Sequence, residues 1–157
     1  MNRETLFLKI AVFLIGAPVL VLGLLGIPWL ATNPVNPIYA HVLYPIIAIL
    51  YVSTVPFFVA LYQSFRLLSY IDKNEAFSDS SVKALKRIKF CAIIIGVLYV
   101  AWLPFIIGVA ELDDAPGLAI IGMVPIFASM VIAVFAAVLE KLLAKAIDMK
   151  SENELTI

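Results

Sequence analysis

The chain has 157 residues, of which 64% are apolar and 14% charged, and its 11 basic residues balance 11 acidic ones. Soluble domains are about 45–50% apolar and about 25% charged, so this composition excludes an ordinary soluble enzyme and predicts an integral membrane protein. The single cysteine, Cys91, excludes an internal disulfide and a thiol-ligated metal cluster.

The first half of the chain predicts two transmembrane helices joined by a polar turn. No Lys, Arg, Asp or Glu occurs between Lys9 and Arg66, a stretch more than twice the roughly 20 residues that one span needs. The segment 31–38 contains two prolines and two asparagines, which is typical of a turn. We therefore expect spans at about 6–30 and 39–65.

The second half predicts two further spans. Uncharged runs at 90–110 and 118–139 flank a short acidic turn. The chain 1–157 is therefore expected to be one transmembrane domain, an all-α integral membrane four-helix bundle built from two transmembrane hairpins. The segment 66–89 is predicted to be a cytoplasmic helical hairpin loop, and 140–157 a cytoplasmic tail.

The distribution of positive charge predicts the orientation of the chain. If the amino terminus is cytoplasmic, all 11 Lys and Arg residues lie on the cytoplasmic side, and the loops on the other side contain none. Transmembrane proteins follow this positive-inside distribution. One outer loop carries Glu111, Asp113 and Asp114. We expect a multi-pass protein of the bacterial plasma (inner) membrane with both termini in the cytoplasm.

The third helix is predicted to begin in the cytoplasm, near Asp79. Ser78 is a typical helix-capping residue, and Asp79 suits the positive end of the helix dipole. A helix over 79–110 would be about 48 Å long at 1.5 Å per residue, whereas the hydrocarbon layer is about 30 Å thick. About ten residues of this helix should therefore protrude from the bilayer.

Four cations follow this helix start, at Lys83, Lys86, Arg87 and Lys89. We interpret them as a candidate binding site for an acidic partner or for anionic lipid headgroups. The alternative is that these charges only keep the loop on the cytoplasmic side.

The same loop carries a resemblance to a known family. The sequence IDKNEAFS at 71–78, followed by LKRI at 85–88, resembles the mid-chain signature of the YoaS-like family of small bacterial four-helix membrane proteins, a domain of unknown function. The resemblance extends over nearly the whole chain in length and hydropathy. Family members are often encoded beside a small helix-turn-helix regulator, so the resemblance implies a regulatory partnership. It implies no catalytic residues.

Five prolines interrupt the predicted spans, at Pro18, Pro45, Pro56, Pro104 and Pro125. A proline inside a helix frees the carbonyl four residues before it. Ser53 and Thr54 are expected to help satisfy the Val52 carbonyl that Pro56 frees. We interpret the five prolines as candidate helix hinges, which would suit a small-solute carrier or channel. The alternative is that prolines are simply common in membrane helices.

Small residues recur at four-residue spacing on the last two helices. Ala92 and Gly96 lie on the third, and Ser129, Ala133 and Ala137 on the fourth. Such faces let two helices approach closely. They favour packing within the chain, with a homodimer interface as the alternative.

The leading functional prediction is a non-enzymatic membrane protein. No ionisable residue lies in the middle of a span, which argues against a proton-coupled carrier, and the chain lacks a recognisable catalytic, cofactor-binding or metal-binding set. We expect a regulatory, sensory or immunity-type partner that acts through helix-helix contacts and the basic loop. Its predicted partners are the lipid bilayer and another membrane protein or a helix-turn-helix regulator, without direct binding of nucleic acid. The alternative is a small-solute carrier or channel.

Overall fold

A computed structural model describes residues 3–33 and 37–155 as four α-helices. They are α1 (Arg3–Thr32), α2 (Pro37–Asp72), α3 (Asp79–Leu112) and α4 (Gly117–Leu155). The described part of the chain has no strand, so the all-α prediction is confirmed. Residues 34–36 of the predicted first turn, and the last two residues of the predicted tail, lie outside the described residues.

Each helix is long enough to cross a bilayer. The helices contain 30, 36, 34 and 39 residues, and each contains an apolar segment suited to a membrane span. Large side chains point outward, with Phe7, Leu22 and Ile120 at least 70% exposed. Ser53 and Ser129, in contrast, are buried. An exterior of large apolar side chains is favourable in hydrocarbon and unfavourable in water. This arrangement is therefore that of a multi-pass membrane protein.

The helices pack in chain order. α1 contacts α2, α2 contacts α3 and α3 contacts α4. Among the described residues, no Cα atom of α1 lies within 8 Å of α3 or α4. The result is an open four-helix bundle whose two terminal helices are separated from each other.

The α2–α3 and α3–α4 turns share one backbone design. Asn74 and Asp114 each adopt a positive φ, of 59° and 51°. In each turn the next residue donates its amide to the carbonyl five residues before it, at 2.7 Å for Glu75 and 2.8 Å for Ala115. These bonds form the Schellman ending of a helix, in which asparagine or aspartate can replace the usual glycine.

The predicted beginning of α3 is confirmed. Ser78 is the N-cap, and its hydroxyl accepts a hydrogen bond from the Ser81 amide. Ser81 is fully buried and Ala84 is 2% exposed. The first turns of α3 are therefore packed against the rest of the hairpin, which fixes the direction of the side chains on the opposite face.

Candidate functional site

A cavity of about 660 Å³ lies between the four helices. Its walls come from 19–30 of α1, 47–57 of α2, Ile95 and Tyr99 of α3, and 125–132 of α4. Because no described Cα atom of α1 lies within 8 Å of α4, the backbones of these two helices do not close the cavity on that side. Sequence reasoning did not predict it, since a cavity depends on the distance between helices.

Hydroxyl groups line the deep part of the cavity. The Ser53 hydroxyl donates to the Leu50 carbonyl at 2.8 Å and lies 2.9 Å from the Tyr99 hydroxyl. The Tyr51 hydroxyl donates to the Gly23 carbonyl at 2.9 Å. Ser53 and Tyr99 are near the centres of the predicted spans 39–65 and 90–110, and these spans predict that the cluster lies near the bilayer midplane. It joins α1, α2 and α3 there.

The prediction that Ser53 and Thr54 help to satisfy the Val52 carbonyl is wrong. Ser53 bonds to the Leu50 carbonyl, and Thr54 bonds to the Tyr51 carbonyl. A serine or threonine in a helix reaches back three or four residues along the chain, so neither hydroxyl points to Val52. One sequence feature could have indicated this cluster: residues with hydroxyl groups occur near the middle of two apolar spans.

The five candidate hinges occupy different surroundings within continuous helices. Pro18 and Pro104 are exposed, and Pro45, Pro56 and Pro125 are half-buried. Of the five, Pro125 belongs to the cavity wall. Nearby, the Trp102 indole donates to the Gly122 carbonyl at 3.0 Å. The Gly122 carbonyl is next to the Ile121 carbonyl in the chain. The Ile121 carbonyl has no backbone donor at position 125, because Pro125 lacks an N–H.

The small-residue faces of α3 and α4 meet within the chain. A methyl group added at Gly96 would lie 3.5 Å from the Ser129 Cβ, so the two backbones approach closely here. Ser129 is 6% exposed and borders the cavity. Its hydroxyl makes no hydrogen bond to another described residue. A polar group of a ligand could therefore bond to it.

The structure divides the four predicted cations of α3 into two groups. Lys83, Lys86 and Arg87, here called the basic face, are exposed and lie on the side of the helix opposite the buried residues Ser81 and Leu85. Lys89 instead forms an ion pair of 2.9 Å with Glu140 of α4. Both of these side chains are less than a quarter exposed. Lys89 therefore serves the packing of α3 on α4, a role that sequence reasoning missed.

A second ion pair connects α1 to α2 at the same end of the bundle. The Lys9 ammonium lies 2.7 Å from the Asp72 carboxylate, to which the Thr5 hydroxyl also donates. The Lys9 ammonium also lies 5.3 Å from the centre of the Phe65 ring. At the opposite end, the Tyr39 hydroxyl donates to Asp113. Polar contacts thus connect neighbouring helices at both ends.

The Ser53–Tyr99 contact should stabilise the bundle modestly. We expect the Ser53→Ala and Tyr99→Phe substitutions to show a coupling of about 0.6 kcal/mol, typical of hydrogen bonds between membrane helices. Reversible unfolding of both single variants and the double variant in mixed micelles measures it. Tyr62→Phe, at an exposed tyrosine, is the matched control. Full additivity of the two substitutions would show that the contact contributes nothing.

Comparisons with known proteins find a family of unknown function and a relative that is named as a membrane protein. The family model described as "Protein of unknown function (DUF2975)" matches residues 29–157. The "Uncharacterized membrane protein YoaS" of Bacillus subtilis (strain 168) is 56% identical over 160 residues, and the alignment covers 100% of both chains. No solved structure matches the chain.

Proposed function

The chain belongs to the DUF2975 family, the YoaS-like family that its loop resembles, and from this premise we propose that it is a non-enzymatic regulatory, sensory or immunity-type partner protein of the bacterial plasma membrane. In this proposal both termini are cytoplasmic. The basic face then points into the cytoplasm, where it binds an acidic surface of a second protein.

The observation that carries the proposal is the basic face itself. Among the described residues, Lys83, Lys86 and Arg87 make no ion pair. They lie on the first turns of a helix whose opposite side is buried at Ser81 and Leu85. A rigid array of unpaired like charges favours an oppositely charged partner through steering and specificity.

The length of the helices supports access to this face. α3 contains 34 residues and is therefore about 51 Å long, whereas hydrocarbon covers about 30 Å. α2 is longer still, at 36 residues. The α2–α3 hairpin consequently extends beyond the bilayer on the side where all the cations of the chain lie.

Site-specific crosslinking in native membranes tests the proposal. A photoreactive residue at Ser80, which is exposed beside the basic face, should form one dominant protein adduct. Reversing the charges of the basic face (Lys83→Glu, Lys86→Glu, Arg87→Glu) should reduce that adduct at least tenfold.

The matched control reverses three exposed cations of α4 on the same side of the bundle, at Lys141, Lys145 and Lys150. This control should leave the adduct unchanged. An adduct that survives reversal of the basic face, or an equal loss in the control, would contradict the proposal.

A small-solute carrier is the second candidate, and the cavity favours it. Ser129, whose hydroxyl makes no hydrogen bond to a described residue, and Pro125 both belong to its wall. Carriers commonly bind substrate near the midplane beside interrupted helices. Vesicles containing the purified protein should then leak solute, and Pro56→Ala or Pro104→Ala should stop the leak. Vesicles that stay tight would exclude this candidate.

A further inference from the structure

One polar group beside the cavity has no partner among the described residues, the Ser129 hydroxyl of α4. The residue is 6% exposed, and its hydroxyl makes no hydrogen bond to a described residue. A serine inside a helix usually donates to a carbonyl three or four residues before it, which Ser129 does not do. Because a buried donor without a partner is costly, this position favours an additional molecule that accepts the proton.

The Ser129 hydroxyl faces the cavity. Among the described residues, every side-chain oxygen or nitrogen that is completely buried has a hydrogen-bond partner. The Ser129 oxygen has none, so it must be accessible. Ser129 borders two spaces, the cavity and a groove between α3 and α4. Because the groove is lined almost entirely by apolar atoms, the accessible oxygen belongs to the cavity.

The other hydroxyl protons of the cavity are already used within the protein. Tyr51, Ser53 and Thr54 each donate to a backbone carbonyl. Since the one proton of Ser53 is used in this way, the Tyr99 hydroxyl must be the donor in the Ser53–Tyr99 contact. Within the described wall, Ser129 therefore holds the free hydroxyl proton. A ligand that satisfies it must carry an acceptor oxygen.

The depth of Ser129 excludes a lipid whose polar group stays at the membrane surface. Ser129 is near the centre of the predicted span 118–139, about 15 Å from either edge of the hydrocarbon layer. The headgroup and ester carbonyls of a phospholipid lie at that edge. None of the described lining residues is charged, so a charged group in the cavity would lack a counterion. The occupant is therefore an uncharged molecule whose polar end enters the hydrocarbon.

The wall and the opening of the cavity indicate the shape of this occupant. Tyr51, Phe57 and Tyr99 contribute aromatic rings to the wall, which pack well against a planar ring. No described Cα atom of α1 lies within 8 Å of α4, so a hydrocarbon tail can pass between these helices into the bilayer. The volume of about 660 Å³ is in the usual range of ligand sites, roughly 300–1,000 Å³. A planar ring with a carbonyl oxygen and a hydrocarbon tail meets all these conditions.

We propose that the cavity binds a membrane-soluble quinone. One ring carbonyl accepts the free proton of Ser129, the ring packs against the aromatic wall, and the hydrocarbon tail passes between α1 and α4 into the bilayer. The site lies at the middle of the bundle and the basic face lies at one end, so this proposal does not depend on the proposed protein partner.

Retention of a quinone in native mass spectrometry tests the proposal. The full chain is placed in phosphatidylglycerol nanodiscs with equal amounts of menatetrenone, a naphthoquinone, and geranylgeraniol, an alcohol with the same hydrocarbon tail. We expect one menatetrenone per chain to be retained in preference to the alcohol. Ser129→Ala should reduce retention of the quinone about fivefold, the effect of one hydrogen bond. This variant keeps the Cβ that lies close to Gly96, so it should leave the packing of α3 on α4 intact.

The matched control for the loss of the hydroxyl is Ser64→Ala. The Ser64 hydroxyl donates to the Ala60 carbonyl of its own helix, and Ser64 is not part of the cavity wall. Retention of menatetrenone by this variant should equal that of the unmodified chain.

Variants that fill the cavity test the position of the quinone. Gly23→Leu enters from α1, where a new Cβ meets no atom within 4 Å, and Ala128→Leu enters from the α4 wall. Both should abolish retention of menatetrenone. Ala17→Leu, at an exposed residue of α1 outside the cavity, should not.

Melting temperatures verify that the variants are folded, and if a filled variant does not fold, the comparison of Ser129→Ala with Ser64→Ala decides by itself. Unchanged retention in Ser129→Ala, equal retention of the quinone and the alcohol, or full retention in both filled variants would overturn the proposal. Release of the retained quinone by a small polar solute would also overturn it, in favour of the carrier.

Discussion

Replacing Lys9 with methionine is expected to lower the free energy of unfolding by about 3 kcal/mol, because it removes the cation from a buried ion pair. The Lys9 and Asp72 side chains are 9% and 12% exposed, and their charged atoms are 2.7 Å apart. Without Lys9, the carboxylate keeps the Thr5 hydroxyl but loses the Lys9 ammonium. A partly buried carboxylate that loses one of its charged partners costs more free energy to keep ionised there.

The loss of stability should mainly weaken the packing of α1 on the rest of the bundle. Among the described residues, α1 approaches the bundle through α2 alone, so the ion pair supplies a large share of the polar contacts that hold this helix. Reversible unfolding in mixed micelles, followed by tryptophan fluorescence, measures the loss. Lys141→Met, at an exposed cation of α4, is the matched control and should be nearly neutral.

A double variant distinguishes the cost of leaving one charge without the other from the cost of losing both charged side chains. Lys9→Met combined with Asp72→Leu removes both charges, and pairs replaced by apolar residues are often as stable as the original. The double variant should therefore recover most of the lost stability. If Lys9→Met alone is as stable as the unmodified chain, the ion pair does not hold α1 on α2.

Replacing Gly122 with leucine is expected to lower the free energy of unfolding by about 2–3 kcal/mol through overpacking. A Cβ at position 122 would lie 2.7 Å from the Ile106 Cγ2 and 3.3 Å from its Cβ. Ile106 is β-branched and stiff at χ1, so it has little freedom to move away. The α3 and α4 backbones would have to separate, which also weakens the bond from Trp102 to the Gly122 carbonyl.

The matched control for this prediction is Gly23→Leu. A Cβ at position 23 meets no atom within 4 Å, so the added side chain enters open space and should cause no overpacking. Thermal unfolding in the same detergent compares the two variants. Equal melting temperatures would show that α3 and α4 are not closely packed at Gly122.

Some local features were predictable because they depend on neighbouring residues. The N-cap at Ser78 and the beginning of α3 at Asp79 follow from capping chemistry within a few residues. The helical conformation of the spans likewise follows from local hydropathy, since a backbone surrounded by lipid must satisfy its own hydrogen bonds.

The contacts of the candidate site were not predictable in the same way. Lys89 was grouped with Lys83, Lys86 and Arg87 because the four are close in sequence, yet its partner Glu140 lies on another helix. The Ser53 hydroxyl similarly meets Tyr99 across the α2–α3 interface. Nothing in the order of the residues indicates which faces of two helices meet when both helices are apolar on most sides.

The sequence by itself therefore determined the number of spans, the all-α class, the family and the segregation of positive charge to one side, because length, hydropathy and charge act residue by residue along the chain. Only the tertiary structure decided which cations are paired and where the cavity opens. Both depend on the rotation and separation of helices, which are decided by close packing at positions such as Gly96 and Gly122.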